Sequence, residues 1–360
     1  MQQHRSNTVL PPLWRLCLLL VTLLGLSSTA LAVPLDELYQ AQITVQDKSQ
    51  KERRRAESEG LKAVLVKISG NSKTVNNPQI AAAVKSPGGY VSEFSYQSRV
   101  GEDGSRQVVA DVSYSPAMVD QLLARTGRPI WPADRPELLV WLVVDQVGEG
   151  RSHVSPDSMP EAYKQLQLCA ASRGQPLQQP LLDLEDHLTL SARDAWAFDR
   201  TALVAAARRY KVQQWTVLRF YETSSGQFRG TVQVEAGAHS GLENINAPSL
   251  NELIRKGVDI AVDRVAAGAT FIRQHTAEEF ALLLENIDSF DDYQAAIELL
   301  SELKMVRSVR VASAVGDHLD LRLTIDGGAP GLLRILNRNK RLEPLVSLDN
   351  PGAASRFRWR

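Results

Sequence analysis

Asp183, Glu185, Asp186 and His187 place three carboxylates and an imidazole within one short stretch. A predicted strand precedes them, and in open α/β sheets the loops beyond strand carboxyl ends are where ligands bind. Oxygen and nitrogen donors at that spacing suit a divalent metal ion or a general acid/base pair, the equipment of a metal-dependent hydrolase or of a small-ligand sensor. The same residues have a plainer use. Asp183 or Asp186 can cap the next helix through its carboxylate while the remaining charges face water. Convergence of three ligating atoms on one point separates the two readings.

Elsewhere the chain is poor in reactive arrangements. It contains no G-x-S-x-G, H-E-x-x-H, G-x-x-x-x-G-K-[ST] or G-x-G-x-x-G, so the usual nucleophile, zinc, phosphate and dinucleotide fingerprints are missing and no cofactor is expected. His153, His239, His275 and His318 stand apart from His187 without metal-ligand spacing. Cys169 lies on an apolar helical side, where a buried inert thiol is the ordinary reading. Arg53, Arg54 and Arg55 fall on the polar side of a helix, a solvated face or a contact for an acidic partner or lipid headgroup. The closing Arg356-Phe357-Arg358-Trp359-Arg360 reads as a frayed tail, or as a peripheral contact with a membrane surface or a protein.

The first 32 residues look like a cleavable export signal. Arg5 and Arg15 supply positive charge, Leu16 to Leu26 is apolar, and Ala30-Leu31-Ala32 is an A-x-A site, so cleavage is expected between Ala32 and Val33. The apolar run falls well short of the ~20 residues needed to span a bilayer. The chain has 41 basic and 41 acidic residues; losing Arg5 and Arg15 leaves a net charge of about −2, which offers no long-range attraction to nucleic acid. Cys17 leaves with the signal, so Cys169 remains alone and no internal disulfide can form.

Three α/β segments follow. In the first, expected over residues 33–130, Tyr39, Ala41, Ile43 and Val45 alternate as in a half-buried strand, and Leu61, Val64, Leu65 and Ile68 step in helical register from a Ser49-x-x-Glu52 capping box to Gly70. Tyr90 to Tyr114 forms a hairpin, and Ser115-Pro116 opens a further helix. Residues 128–136 read as a linker. The second segment, 131–272, opens on Leu138 to Val144, an apolar run suited to a strand covered on both faces, with Pro176 to Leu184 and Trp215 to Tyr221 as further strands. A mostly parallel sheet between helices is expected there. The third, 273–348, has the strand, helix, hairpin, helix, strand order of a ferredoxin-like split βαβ domain, leaving 349–360 as a disordered tail. The fold class is therefore α/β and α+β, as tandem small α/β domains.

The residues Gln179 to Asp186, Asp194-Ala195-Trp196 and Ala205 to Tyr210, with Leu38-Tyr39, Arg53-Arg54 and Leu65 to Gly70, resemble an exported Gram-negative bacterial family known only as domain of unknown function 2066. That resemblance implies a periplasmic or envelope location and brings no catalytic or binding residues with it. A likeness in element order to small α/β domains of envelope accessory proteins points the same way, as fold analogy. The expectation is a non-enzymatic periplasmic accessory or scaffold of the cell envelope, acting on envelope protein partners. Its alternative is the hydrolase or sensor built on the Asp183 to His187 loop.

Overall fold

The computed structural model describes residues 35–100, 105–273, 278–345 and 355–360. The expected signal with its cleavage point at Ala32 and Val33, the turn at Gly101 to Gly104, His275 and the first part of the tail lie outside those residues. Among the described residues, no helix is long and apolar enough to cross a membrane.

The N-terminal lobe starts with a short helix α1 (Leu35–Leu38) and strand β1 (Gln40–Val45). Helix α2 (Gln50–Ser69) follows because Ser49 Oγ accepts the Glu52 N–H and Gly70 closes the helix at φ 65°. The expected capping box is only half made. The Glu52 carboxylate accepts the N–H of Gln46 at 3.0 Å, which ties the helix to the end of β1 instead of to its own cap residue. After α3 (Pro78–Lys85), strands β2 (Val91–Val100) and β3 (Arg106–Tyr114) form an antiparallel hairpin, and the sheet order is β1-β3-β2. Helix α4 (Pro116–Arg125) completes the lobe on its Ser115 cap.

In the central lobe, β4 (Leu138–Gln146) is buried from Leu138 to Val144, as its unbroken apolar run requires. Its neighbours are β5 (Gly150–His153) and β7 (Trp215–Glu222), with the two-residue β6 (Leu177–Gln178) beside its start. Strands β8 (Phe228–Glu235) and β9 (Gly241–Ala247) extend the far side. The expectation of a mostly parallel sheet is corrected: β4 runs parallel to β6 and β7, while the β4–β5, β7–β8 and β8–β9 pairs are antiparallel. Connections such as Thr223 to Gln227 permit only a hairpin, since a parallel return needs a crossover of a dozen residues or more. The strand expected over Pro176 to Leu184 also ends early, because Pro180 has no N–H to continue a ladder.

Helices α5 (Pro160–Ser172) and α9 (Leu250–Ala267) cover one face of this sheet, packing Leu166, Leu253, Val258 and Val262 against Leu138, Val140 and Leu218. The other face receives three short helices, α6 (Leu184–Thr189), α7 (Ala192–Ala197) and α8 (Arg200–Arg209), whose Ala195, Leu203 and Ala206 meet Leu139, Trp141 and Val217. That second cover stops at β7. The outward side of β8 and β9 remains open, with Arg229, Leu242, Asn244 and Asn246 exposed.

The C-terminal lobe runs β10 (Glu278–Glu285), α10 (Phe290–Ser301), β11 (Val306–Val315), β12 (His318–Ile325), α11 (Ala329–Leu336), β13 (Leu342–Leu345) and β14 (Ser355–Trp359). The first six elements have the order of a split βαβ domain. The seventh was expected to be disordered, and here the structure differs: β14 lies parallel to β10 and antiparallel to β13, between the two. The alternation of arginine and aromatic residues is the period of a strand. Phe357 and Trp359 point into the core at 2 % and 4 % exposure, while Arg356 pairs with Glu285 and Arg360 with Glu343. The aromatics are thus not available for a membrane surface.

The supposed linker is a clasp. Ile130 exchanges backbone hydrogen bonds with Phe271, and the N–H of fully buried Trp131 donates to the Ile68 carbonyl at 2.7 Å. The Arg135 guanidinium lies 4.1 Å from the Trp131 ring and donates to the carbonyls of Lys67, Pro132, Arg173 and Gly174. Gly70 belongs to the same knot; any Cβ there would sit 2.4 Å from Ala266 and 3.1 Å from the Trp131 ring. Arg135→Ala leaves those carbonyls short of a buried donor and is expected to cost about 3 kcal/mol or more, read as a lowered midpoint in urea unfolding. Phe357→Ala is expected to cost about 3–5 kcal/mol by the cavity it opens, where a truly frayed tail would show no change in thermal unfolding.

Candidate functional site

The Asp183 to His187 segment has the geometry of a locked helix start. Leu182 turns the chain at φ 52°, and Asp183 caps α6 by accepting the Asp186 N–H at 3.0 Å. Arg209, at the end of α8, donates through Nη1 to Asp183 Oδ1 at 2.6 Å and to Asp186 Oδ1 at 2.5 Å, and through Nη2 to Asp183 Oδ2 at 2.7 Å. Its Nη2 also lies 3.4 Å from Glu185. The other Asp186 oxygen accepts the Tyr210 hydroxyl and, at 2.8 Å, the Leu182 N–H. These hydrogen bonds from Arg209 hold the Asp183 carboxyl well below the usual carboxylate range. Burial, reinforced by Asp186, pushes the Tyr210 hydroxyl up to about 12.

A general base needs a free lone pair and a pKa near working pH. Asp183 and Asp186 have spent their oxygens on Arg209, Tyr210 and backbone N–H groups. Among the described residues, no three His, Cys, Asp or Glu side chains come together in a way that could hold a metal ion. Glu185 and His187 are exposed. Arg209-Tyr210 was the signal for this arrangement: a cation and a hydroxyl two helices after an Asp-x-x-Asp pair.

His153 closes the back of this region, its ring centroid 5.7 Å from that of His187. Its Nε2 meets the Leu190 carbonyl at 3.0 Å, so that nitrogen carries the proton, and Nδ1 is buried with no partner. Protonating Nδ1 would bury a donor with nothing to accept it, and burial accordingly pushes the imidazole below its ordinary value. The native state therefore keeps full stability above pH 6.5 and loses it as pH falls below that, where the unfolded chain takes up a proton that native His153 refuses. Chemical unfolding at pH 7 and pH 5 is expected to show a drop on the order of 1 kcal/mol that His153→Gln reduces; an equal drop in both proteins would contradict this role.

Cys169, Arg53 and Arg55 are accounted for by packing or pairing, while Arg54 is exposed. Cys169 is buried, with its thiol pushed up by burial and Gln165 Nε2 3.2 Å from the sulfur. Arg53 pairs with Glu57 and stacks on Phe94 at 4.6 Å, and Arg55 pairs with Glu52 and Glu59.

Sequence reasoning missed the open face of the central sheet. There β7 presents Arg219 and Tyr221, β8 presents Thr231 and Arg229 opposite them, and β9 presents Asn244 and Asn246 opposite those in turn. Trp196 of α7 forms the wall of the resulting pocket, whose volume is about 340 Å³. Gly230 keeps the floor thin, since a Cβ would meet the Arg219 carbonyl at 2.9 Å and Leu253 of α9 at 3.3 Å. The only hint in the sequence was the polar set Arg229, Thr231, Gln233 and Glu235 at every second position of a strand.

A family model described as Domain of unknown function (DUF8605) matches residues 32–132, which cover the N-terminal lobe. No curated protein matches the chain. An uncharacterised domain is thus present, matched to a description other than the one that the sequence resembles, and the match names no reaction.

Proposed function

We propose that this protein is a non-catalytic accessory or scaffold of the cell envelope, exported through its leading segment, cleaved after Ala32 and working in the periplasm through protein contacts. Kinship with the Gram-negative family known as domain of unknown function 2066 is part of the same proposal. The observation that carries it is the orientation of α6. Its carboxylates turn in to Arg209, while Leu181, Leu184 and Leu188 stand 69, 74 and 78 % exposed. Leu184 and Leu188 are one helical turn apart and share a face. Three large apolar side chains held outward by a charge-locked turn support a contact surface, since exposed apolar clusters mark interaction sites. A hydrolase or sensor centred on this loop would first have to remove Arg209 from both aspartates.

A photoreactive residue at position 188 of the full chain, expressed and irradiated in intact cells, tests the reading. The expected result is an adduct with an envelope protein that disappears in Leu181→Asp/Leu184→Asp, while thermal unfolding of that variant stays unchanged. An adduct indifferent to the two substitutions, no adduct, or untrimmed chain in the soluble cytosol would each overturn it.

A further inference from the structure

We propose that the open face of the central sheet binds a small hydroxylated anion, a sugar acid or a sugar phosphate, whose oxyanion is held by Arg219 and Arg229. This proposal uses none of the α6 residues and stands or falls apart from the envelope-contact reading.

The floor of the pocket is a two-by-three grid set by strand register, in which Arg219 and Tyr221 face Thr231 and Arg229, and these face Asn244 and Asn246. Side chains opposite one another on adjacent strands lie about 5 Å apart at Cβ, within reach of one monosaccharide-sized ligand. Two cations enter the grid, and neither Arg219 nor Arg229 forms an ion pair among the described residues; the carboxylate at its edge, Asp145 opposite Tyr221, is taken by Arg151. Arg151, 4.8 Å from the Trp196 ring, is already paired with Asp145 at 3.3 Å and adds no free charge. Like charges gathered in one place repel, and an anion relieves that repulsion.

Arg219 is held ready. Its guanidinium lies 4.3 Å from the Phe198 ring and 5.4 Å from the Trp196 ring, and it donates to the Trp196 carbonyl. Phe198 takes the left-handed conformation, φ 57°, as the C-cap that ends α7, with its N–H on the Ala195 and Asp194 carbonyls. One carbonyl leaves Arg219 with further N–H donors, and a guanidinium whose rotamer is already fixed loses little entropy on binding.

The rest of the grid selects hydroxyl groups. Thr231 Oγ1 donates to Asn244 Oδ1 at 3.0 Å, which leaves the Asn244 amide nitrogen as a donor. Amides such as Asn244 and Asn246 both donate and accept, as sugar hydroxyls do. The Trp196 ring already has two guanidinium groups against it, those of Arg151 and Arg219, so sugar stacking on the indole is not the recognition element. A volume of about 340 Å³ falls in the range of small-molecule sites.

Isothermal titration of the full chain with glucuronate, glucose 6-phosphate and glucose tests the assignment. At least one of the two anionic probes is expected to bind, and the stronger identifies carboxylate or phosphate as the recognised group. Glucose is expected to give no measurable binding. Arg229 is exposed, so Arg229→Ala should leave unfolding unchanged while weakening the anionic probe at least tenfold; Asn246→Asp, which brings a like charge to the anion, should weaken it as well. No heat with either anion, equal binding of glucose, or wild-type affinity in Arg229→Ala would each overturn the proposal.

Discussion

A guanidinium buried at the meeting point of the lobes organises this molecule. Arg135 is 6 % exposed, and a charge taken that far out of water is tolerated only when its donors are met. They are met by carbonyls at the end of α2, in the clasp itself and just beyond α5, so its solvation shell is assembled from parts that are far apart in sequence. Trp131 underneath it excludes water and contacts the same helix end. The lobes therefore cannot shift without stranding a cation or several carbonyls. Asp263 of α9 adds a second tie, accepting from Ser72 in the N-terminal lobe and from Arg173 in its own. Tyr39, Asp120 and Lys304 add a third, between the first lobe and the last.

Arginine does comparable work at α6. A cluster of acidic residues attracts a catalytic reading because carboxylates are versatile, but their versatility depends on free lone pairs. Arg209 and Tyr210 take those, and the chemistry that remains is geometric: the turn holds, and Leu181, Leu184 and Leu188 around the acids face water. On the open face of the central sheet the balance is reversed: Asp145 pairs with Arg151, and Arg219 and Arg229 have no acid partner among the described residues. Side chains there are fixed by stacking and by register, yet their polar atoms are left for something outside the chain.

Much of the architecture was legible where it depends on near neighbours. The alternation from Tyr39 to Val45, the stripe of Leu61, Val64, Leu65 and Ile68, the Ser115-Pro116 start and the apolar run at Leu138 each record local burial, and each is found as read. Reading failed where partners were remote. The tail carried a visible strand period, but nothing local indicated that β10 had a free edge to receive it. The acidic cluster was found as a cluster; its partner Arg209 lay more than twenty residues away, and only folding showed that the two meet.

Sequence alone determined the element types, the facing of their apolar stripes and the scarcity of reactive motifs, since these follow from composition and from periods of two and 3.6 residues along the chain. Tertiary structure decided the mixed sheet, the inserted last strand, the clasp around Arg135 and the pairing of Arg209 with two aspartates. Each of those depends on which backbone edge or charge finds which across a long loop, and that choice is made by the joint satisfaction of buried polar groups, a property of the whole fold and of no segment within it.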